Sequence, residues 1–216
     1  MDIISRREKE RQMREEDIVN AAELVFSTLG YNKTSMEEIA KEAQFTRKTI
    51  YQYFTDKDDL CLEVVTRKFK QLLIYLMESI KVGNNGFEKL QNLSYAYYKF
   101  YQDFPNTFNL MNYVGYIKSD KENSSRREEF NRVSGLLSQE VANVISEGKL
   151  DGSIRQDLDT MNLTYSAEYI ISGFFHMLSI SGATFTSHFS LNKEDFIKFN
   201  MNLICDAFRA KSDSDA

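Results

Sequence analysis

Residues 46–60 read TRKTIYQYFTDKDDL. Within ten positions this run places two cations, Arg47 and Lys48, beside Thr49, Tyr51, Tyr53 and Phe54. Laid on a helix, Ile50 and Phe54 face inward, and Arg47, Lys48 and Thr49 fill an exposed first turn. That turn is the part of a recognition helix that reaches base edges in a major groove. Guanidinium and ammonium groups match the O6 and N7 acceptors of guanine, and a threonine can meet a thymine methyl. The phenols of Tyr51 and Tyr53 suit phosphate oxygens, and Lys57 adds a cation on the same side. Thr34 and Ser35 stand at the positive end of another helix, where a phosphate can be held. Alone, such a tripeptide fits a solvated, charged helix face equally well. Its setting in the chain points to double-stranded DNA.

The positioning elements are legible as stripes and caps. Ile18, Ala21, Ala22, Val25, Phe26 and Leu29 recur at helical spacing and predict a first helix, ended by Gly30 as a left-handed cap. Ser35 and Glu38 form a capping box for a short second helix whose apolar face is Met36, Ile39, Ala40 and Ala43. Residues 43–46, AQFT, make a tight turn, and Thr46 caps a third helix through about Phe54. Two short helices joined this way are a helix-turn-helix, with Ile39, Ala40, Phe45, Ile50 and Phe54 as its core. A fourth helix starts at Asp56, where Asp58 and Asp59 favour its positive end, and runs to about Ile80. Further helices are expected from Gly86 to about Phe104, after Pro105, near 126–147, near 158–183 and near 193–209.

Composition agrees with an all-α chain. Of 216 residues, 42% are hydrophobic, one is proline and nine are glycine, so breaks are few. The net charge of −5 argues against non-specific coating of nucleic acid. The first fourteen residues nevertheless form a basic arm, with Arg6, Arg7, Lys9, Arg11 and Arg14 against Asp2, Glu8 and Glu10. The SDSDA end is expected to fray. Cys61 and Cys205 lie far apart and fit no metal spacing, so no metal and no cofactor are expected. Two histidines, no glycine-rich phosphate loop and no nucleophile motif exclude the common enzyme classes. Residues 169–192 carry no formal charge but hold too many serines, threonines and histidines for a membrane span. The charged N-terminus is unlike a secretory leader, which predicts a cytoplasmic location.

Residues 18–62 resemble the DNA-binding domain of the TetR family of bacterial transcriptional regulators, helix-turn-helix repressors. The resemblance rests on Ile18, Ala21, Ala22, Phe26, Gly30, Thr34, Ile39, Ala40, Ala43 and Phe45, and on the run TIYQYFTDKDDL from Thr49 to Leu60. The segment EGKLDGSIRQDLD at 147–159 is similar to the family's loop before its eighth helix. The resemblance implies that Arg47, Lys48 and Thr49 read bases and that Thr34, Tyr51, Tyr53 and Lys57 grip phosphates. Two positions depart from it. Gln44 stands where the family has glycine, and a left-handed backbone there costs ~1–2 kcal/mol. Glu37 stands where some members place a base-reading arginine.

The expected domains are a DNA-binding domain over 1–55, with its basic arm, and a larger ligand-binding and dimerisation domain over 56–216, about nine helices in all. The last helix carries two apolar stripes: Phe196, Phe199, Leu203 and Ala207, and Ile197, Met201, Ile204 and Phe208. A helix apolar on two flanks is buried on both. One flank can pack on its own domain and the other on a partner, and periodicity leaves the two interchangeable. The first stripe, with Gly173 and the small residues Ser172, Ser179 and Ser181 before it, is the candidate homodimer interface. The resemblance likewise implies a bundle of the last two helices of each subunit. Residues 93–116 hold nine aromatics in 24 positions, and those on the helix before Pro105 encircle it. A pocket for a small apolar or aromatic effector would hide them. Its expected lining is Tyr98, Tyr101, Phe104, Phe108, Met111, Tyr113, Phe175 and His176. His176 can equally be a hydrogen-bonded core histidine. The mechanism implied is release from a palindromic operator by a population shift, with the fourth helix as lever. The alternative is a DNA binder on the same fold that needs no ligand.

Overall fold

The computed structural model describes residues 5–114 and 125–210. Tyr116, Asp2 and the SDSDA end lie outside them. Among the described residues there are nine helices and no strand: α1 (Arg6–Lys33), α2 (Met36–Glu42), α3 (Arg47–Ile50), α4 (Lys57–Ser79), α5 (Gly86–Asp103), α6 (Thr107–Val114), α7 (Ser125–Leu150), α8 (Thr160–His188) and α9 (Lys193–Asp206). The one isolated bridge pairs Ile154 with Arg209.

Local chemistry sets most boundaries. Ser5 and Glu8 form a capping box, so most of the basic arm is helical. Gly30, at φ 74° and ψ 162°, breaks α1 before its last turn. At α2 the Ser35 hydroxyl accepts from the Glu38 amide at 3.2 Å, and the Glu38 carboxylate accepts from the Ser35 amide at 2.7 Å. The turn to α3 keeps left-handed geometry at Gln44, φ 56°, despite its side chain. Thr46 caps α3, which is one turn long and stops short of Phe54. The chain then tightens, with Gln52 donating to Thr49 O and Tyr53 to Ile50 O.

The described residues form two compact units. The first runs through Lys68 and includes Asn109–Phe130; the second comprises Phe69–Phe108 and Asn131 onward. The first unit thus continues past residue 55 into α4. Its core is Ile18, Ala22, Phe26, Ile39, Ala40, Ile50, Phe54, Leu60 and Val65, all under 5% exposed. Burying a side chain such as Ile50 or Phe54 contributes ~1.5–3 kcal/mol. Leu29, expected in the α1 stripe, lies outside this core, immediately before the Gly30 break.

In the second unit α5, α8 and α9 pack together around Phe87, Leu90, Phe100, Phe175, Ile197 and Met201. Gly86 begins α5 directly against Gly148 of α7: a Cβ on Gly86 would lie 2.1 Å from the Gly148 nitrogen. The loop after α7 caps α5, with Asp151 accepting from the Gly86 amide at 2.7 Å and Ser153 from the Phe87 amide at 3.0 Å.

Candidate nucleic-acid interface and effector region

Arg47 and Lys48 are exposed on α3, as expected for base-reading groups. Arg47 lies over the Tyr51 ring at 6.0 Å and 4.0 Å from the Glu37 carboxylate. Thr49 is half-buried, and its hydroxyl and that of Thr46 are 2.9 Å apart. Tyr51 is exposed, whereas Tyr53 is half-buried beneath Arg11, whose guanidinium is 5.9 Å from the ring centroid. The N-terminal helix therefore brings a cation to the recognition turn.

The remaining expected phosphate groups are placed differently. Ser35 is exposed and serves as the α2 cap. Thr34 is buried, and its hydroxyl donates to Gly30 O at 2.8 Å. The Lys57 ammonium donates to Tyr31 O at 2.9 Å and Thr34 O at 3.0 Å, and lies 4.2 Å from the Tyr31 ring centroid. The break at Gly30 leaves carbonyls at the end of α1 that need donors, and Lys57 and Thr34 supply them. Tyr31 donates to Asp58 and stacks on Tyr113 at 4.8 Å. Burial, then Asp58, raises the Tyr31 phenol above its ordinary pKa. The Cys61 thiol, buried beside Asp58, is pushed up to about 12, which leaves no nucleophilic thiolate.

In the second unit, four of the eight expected lining residues meet. The buried Phe175 ring lies 6.4 Å from Tyr98, 5.0 Å from Tyr101 and 5.3 Å from Phe108. Phe104 packs on Phe100 at 5.1 Å. His176 is half-buried, and its Nδ1 has no hydrogen-bond partner. Met111 and Tyr113 belong to the first unit, where Asn32 donates to the Tyr113 hydroxyl at 3.0 Å. The rings around Phe175 are thus hidden by one another.

A separate cavity of about 10 Å³ is lined by residues including Leu90, Leu93, Tyr97, Val141, Ile171 and Glu168. It has room for roughly one water. Glu168 Oε2 accepts from the Ser138 hydroxyl at 2.9 Å, while Oε1 has no partner. Burial holds this carboxyl above the usual carboxylate range, against the Ser138 bond. A larger open cleft of about 520 Å³ lies on the surface, along Ile74, Tyr75, Val82, Tyr95 and Lys99.

On α9 the inward stripe is Ile197, Met201 and Cys205, continued just past the helix end by Phe208, each 4% exposed or less. Phe199, Leu203 and Ala207 are exposed, and Phe196 is half-buried against Phe174 and Phe185. On α8, Tyr169, Ile170, Met177 and Ile180 are also exposed, and Gly173 has open space over its α-carbon.

Residues 18–64 match the model for bacterial regulatory proteins of the tetR family. These residues are a TetR-family DNA-binding domain. The chain that carries it is a DNA-binding transcriptional regulator and not an enzyme. The fatty acid metabolism regulator protein of Bacillus subtilis (strain 168) is 26% identical over 151 residues, which is 70% of this chain and 76% of that protein. The fatty acid degradation regulator FadR from Bacillus halodurans shares the fold, with a TM-score of 0.71 at 20% identity, covering 92% of this chain and 97% of that one. FadR from Bacillus subtilis in complex with stearoyl-CoA aligns with a TM-score of 0.61 at 21% identity, over 88% and 95% of the two chains. Among the described residues, no group of side chains is arranged to hold a metal, and no helix is long and apolar enough to cross a membrane.

Arg126 carries no signal in the sequence. It lies more than 60 residues beyond the helix-turn-helix, where no motif marks it, yet it is bonded into that unit. Lys57 was found by its spacing, but its carbonyl partners depend on the Gly30 break.

Proposed function

We propose that this regulator is a repressor that reads a palindromic operator as a homodimer and is released by a long-chain acyl thioester. The observation that carries the reading is the reach of its likeness to the Bacillus subtilis fatty acid metabolism regulator. That likeness extends over 151 residues, well past the helix-turn-helix match at 18–64. The stearoyl-CoA named with the related FadR structure supplies the ligand class.

The second unit has chemistry suited to an acyl chain. Its interior is aromatic and aliphatic, and an apolar tail binds there by displacing side-chain packing. The cavity beside Glu168, about 10 Å³, is far smaller than such a ligand, so binding there has to spread the helices around it. A ligand that favours the opened form shifts the population toward it, and DNA affinity falls by the same coupling. Helix α4 is unbroken from Lys57 to Ser79 and contributes residues to both units, which suits it as the lever.

On the DNA side, Arg47, Lys48 and Thr49 read bases. Ser35, Tyr51 and Tyr53 contact phosphates. Thr34 and Lys57 support these groups from within. The exposed apolar face of α8 and α9 supports the dimer, because a patch of that kind marks an interaction site. Sedimentation as a monomer at micromolar concentration would remove that part.

The test is a DNA-release titration with stearoyl-CoA, acetyl-CoA and free coenzyme A. Release and a raised thermal midpoint are expected with stearoyl-CoA alone. If no acyl-CoA of any length changes either quantity, the effector is lost. The remaining reading would then be a ligand-independent DNA binder, which the packing of Tyr98, Tyr101 and Phe108 on Phe175 favours.

A further inference from the structure

Arg126 is the second residue of α7, and its side chain is 23% exposed. Its Nη2 donates to the backbone carbonyl of Tyr53 at 3.1 Å and to Glu15 at 2.8 Å. Its Nη1 donates to Asp59 at 3.1 Å, and its Nε lies 3.3 Å from Glu63. The guanidinium also sits 4.3 Å from the centroid of the buried Phe54 ring. Asp59 is itself buried, and its Oδ2, shared with Arg126, accepts from the Thr55 amide at 2.9 Å. One side chain thus fixes three consecutive residues of the turn that leaves α3. Tyr53 is held by its carbonyl, Phe54 by its ring and Thr55 through Asp59.

The length of α3 makes this consequential. Four residues, Arg47–Ile50, complete a single turn. A helix that short has no stability of its own, so its orientation is set by what holds its two ends. Thr46 caps the start. Arg126 anchors the exit. A lysine there would keep the charge but lose the planar fork that reaches several acceptors at once.

We infer that Arg126 is a positioning residue for DNA recognition, a clamp from outside the helix-turn-helix sequence that fixes the angle at which Arg47, Lys48 and Thr49 are presented. The inference rests on α3 being the base-reading helix. Arg126 is not a phosphate contact, because its fork is filled by protein acceptors. It acts on selectivity and leaves the electrostatic part of binding alone.

The experiment uses the full chain and a site selected by the wild-type protein from random duplexes. Arg126→Ala and Arg126→Lys are compared with wild type on that site and on random DNA, with salt dependence and thermal midpoint measured alongside. Both variants are expected to lose about tenfold on the selected site, the scale of one mismatched base pair. Random-DNA affinity and salt slope stay at the wild-type values. Arg126→Lys retains a cation among the three carboxylates and keeps the thermal midpoint near wild type, so its loss is not one of folding. The clamp is overturned if Arg126→Lys binds the selected site as wild type does, or if both variants lose the same factor on all DNA. Failure of the wild type to enrich any site removes the base-reading role of α3, and the clamp with it.

Discussion

Replacing Lys57 with methionine separates two roles for that residue. Lys57→Met keeps the aliphatic stem and removes an ammonium that donates to Tyr31 O and Thr34 O and covers the Tyr31 ring. A hydrogen bond from a charged group contributes ~1.5–3 kcal/mol, and a cation over a ring at an exposed site ~0.5–1 kcal/mol. Lys57 is half-exposed, so water partly replaces its bonds, and the net loss is about 2 kcal/mol. For a chain of this size, that lowers the thermal midpoint by about 4–8 °C. The assay is thermal unfolding followed by circular dichroism, paired with DNA affinity across a salt series. With Lys57 as an internal cap, the salt slope of the folded variant is unchanged. With Lys57 on a phosphate, the slope falls by ~0.9 per subunit. An unshifted midpoint together with that fall would refute the cap.

Glu37→Gln frees Arg47 from a carboxylate 4.0 Å away and removes a like charge from the phosphate side. DNA affinity should rise about two- to fivefold at low salt and less at high salt, as read by fluorescence anisotropy. Gln44→Gly relieves a left-handed residue at φ 56° and should stabilise the protein by about 0.5–1 kcal/mol in chemical denaturation. Glu168 titrates above the ordinary carboxylate range because burial disfavours its ionised form. The unfolded chain therefore releases that proton first, and the carboxyl's contribution to stability falls as pH rises through the unfolded and then the folded pKa. Glu168→Gln should remove this fall, flattening the midpoint between mildly acid and neutral pH. An unchanged pH profile would rule out the buried carboxyl as its source.

The DNA-binding bundle was legible because its signals are local. Ser35 and Glu38, Thr46 and Gly30 act within four residues of their positions, so caps and breaks could be placed from the sequence. The apolar stripes of α9 were visible too, but only packing decides that Ile197 and Met201 turn inward and Phe199 and Leu203 outward. The aromatic segment misled in part. Counting rings around one helix suggests a pocket, whereas Tyr98, Tyr101 and Phe108 converge on Phe175 and fill the space themselves. Phe175 lies more than 60 positions away, and helix periodicity carries no signal over that distance. Arg126 and Lys57 follow the same rule, since a cation looks alike in sequence whether it faces a phosphate, a carbonyl or three carboxylates.

The most direct measurement is selection of bound sites from a random duplex pool by the purified full chain at moderate salt. A palindromic site with fixed half-site spacing, whose enrichment is lost when stearoyl-CoA is added, is the expected result. Enrichment of no sequence would contradict base reading by Arg47, Lys48 and Thr49. Enrichment that acyl-CoA of every chain length leaves intact would contradict the effector.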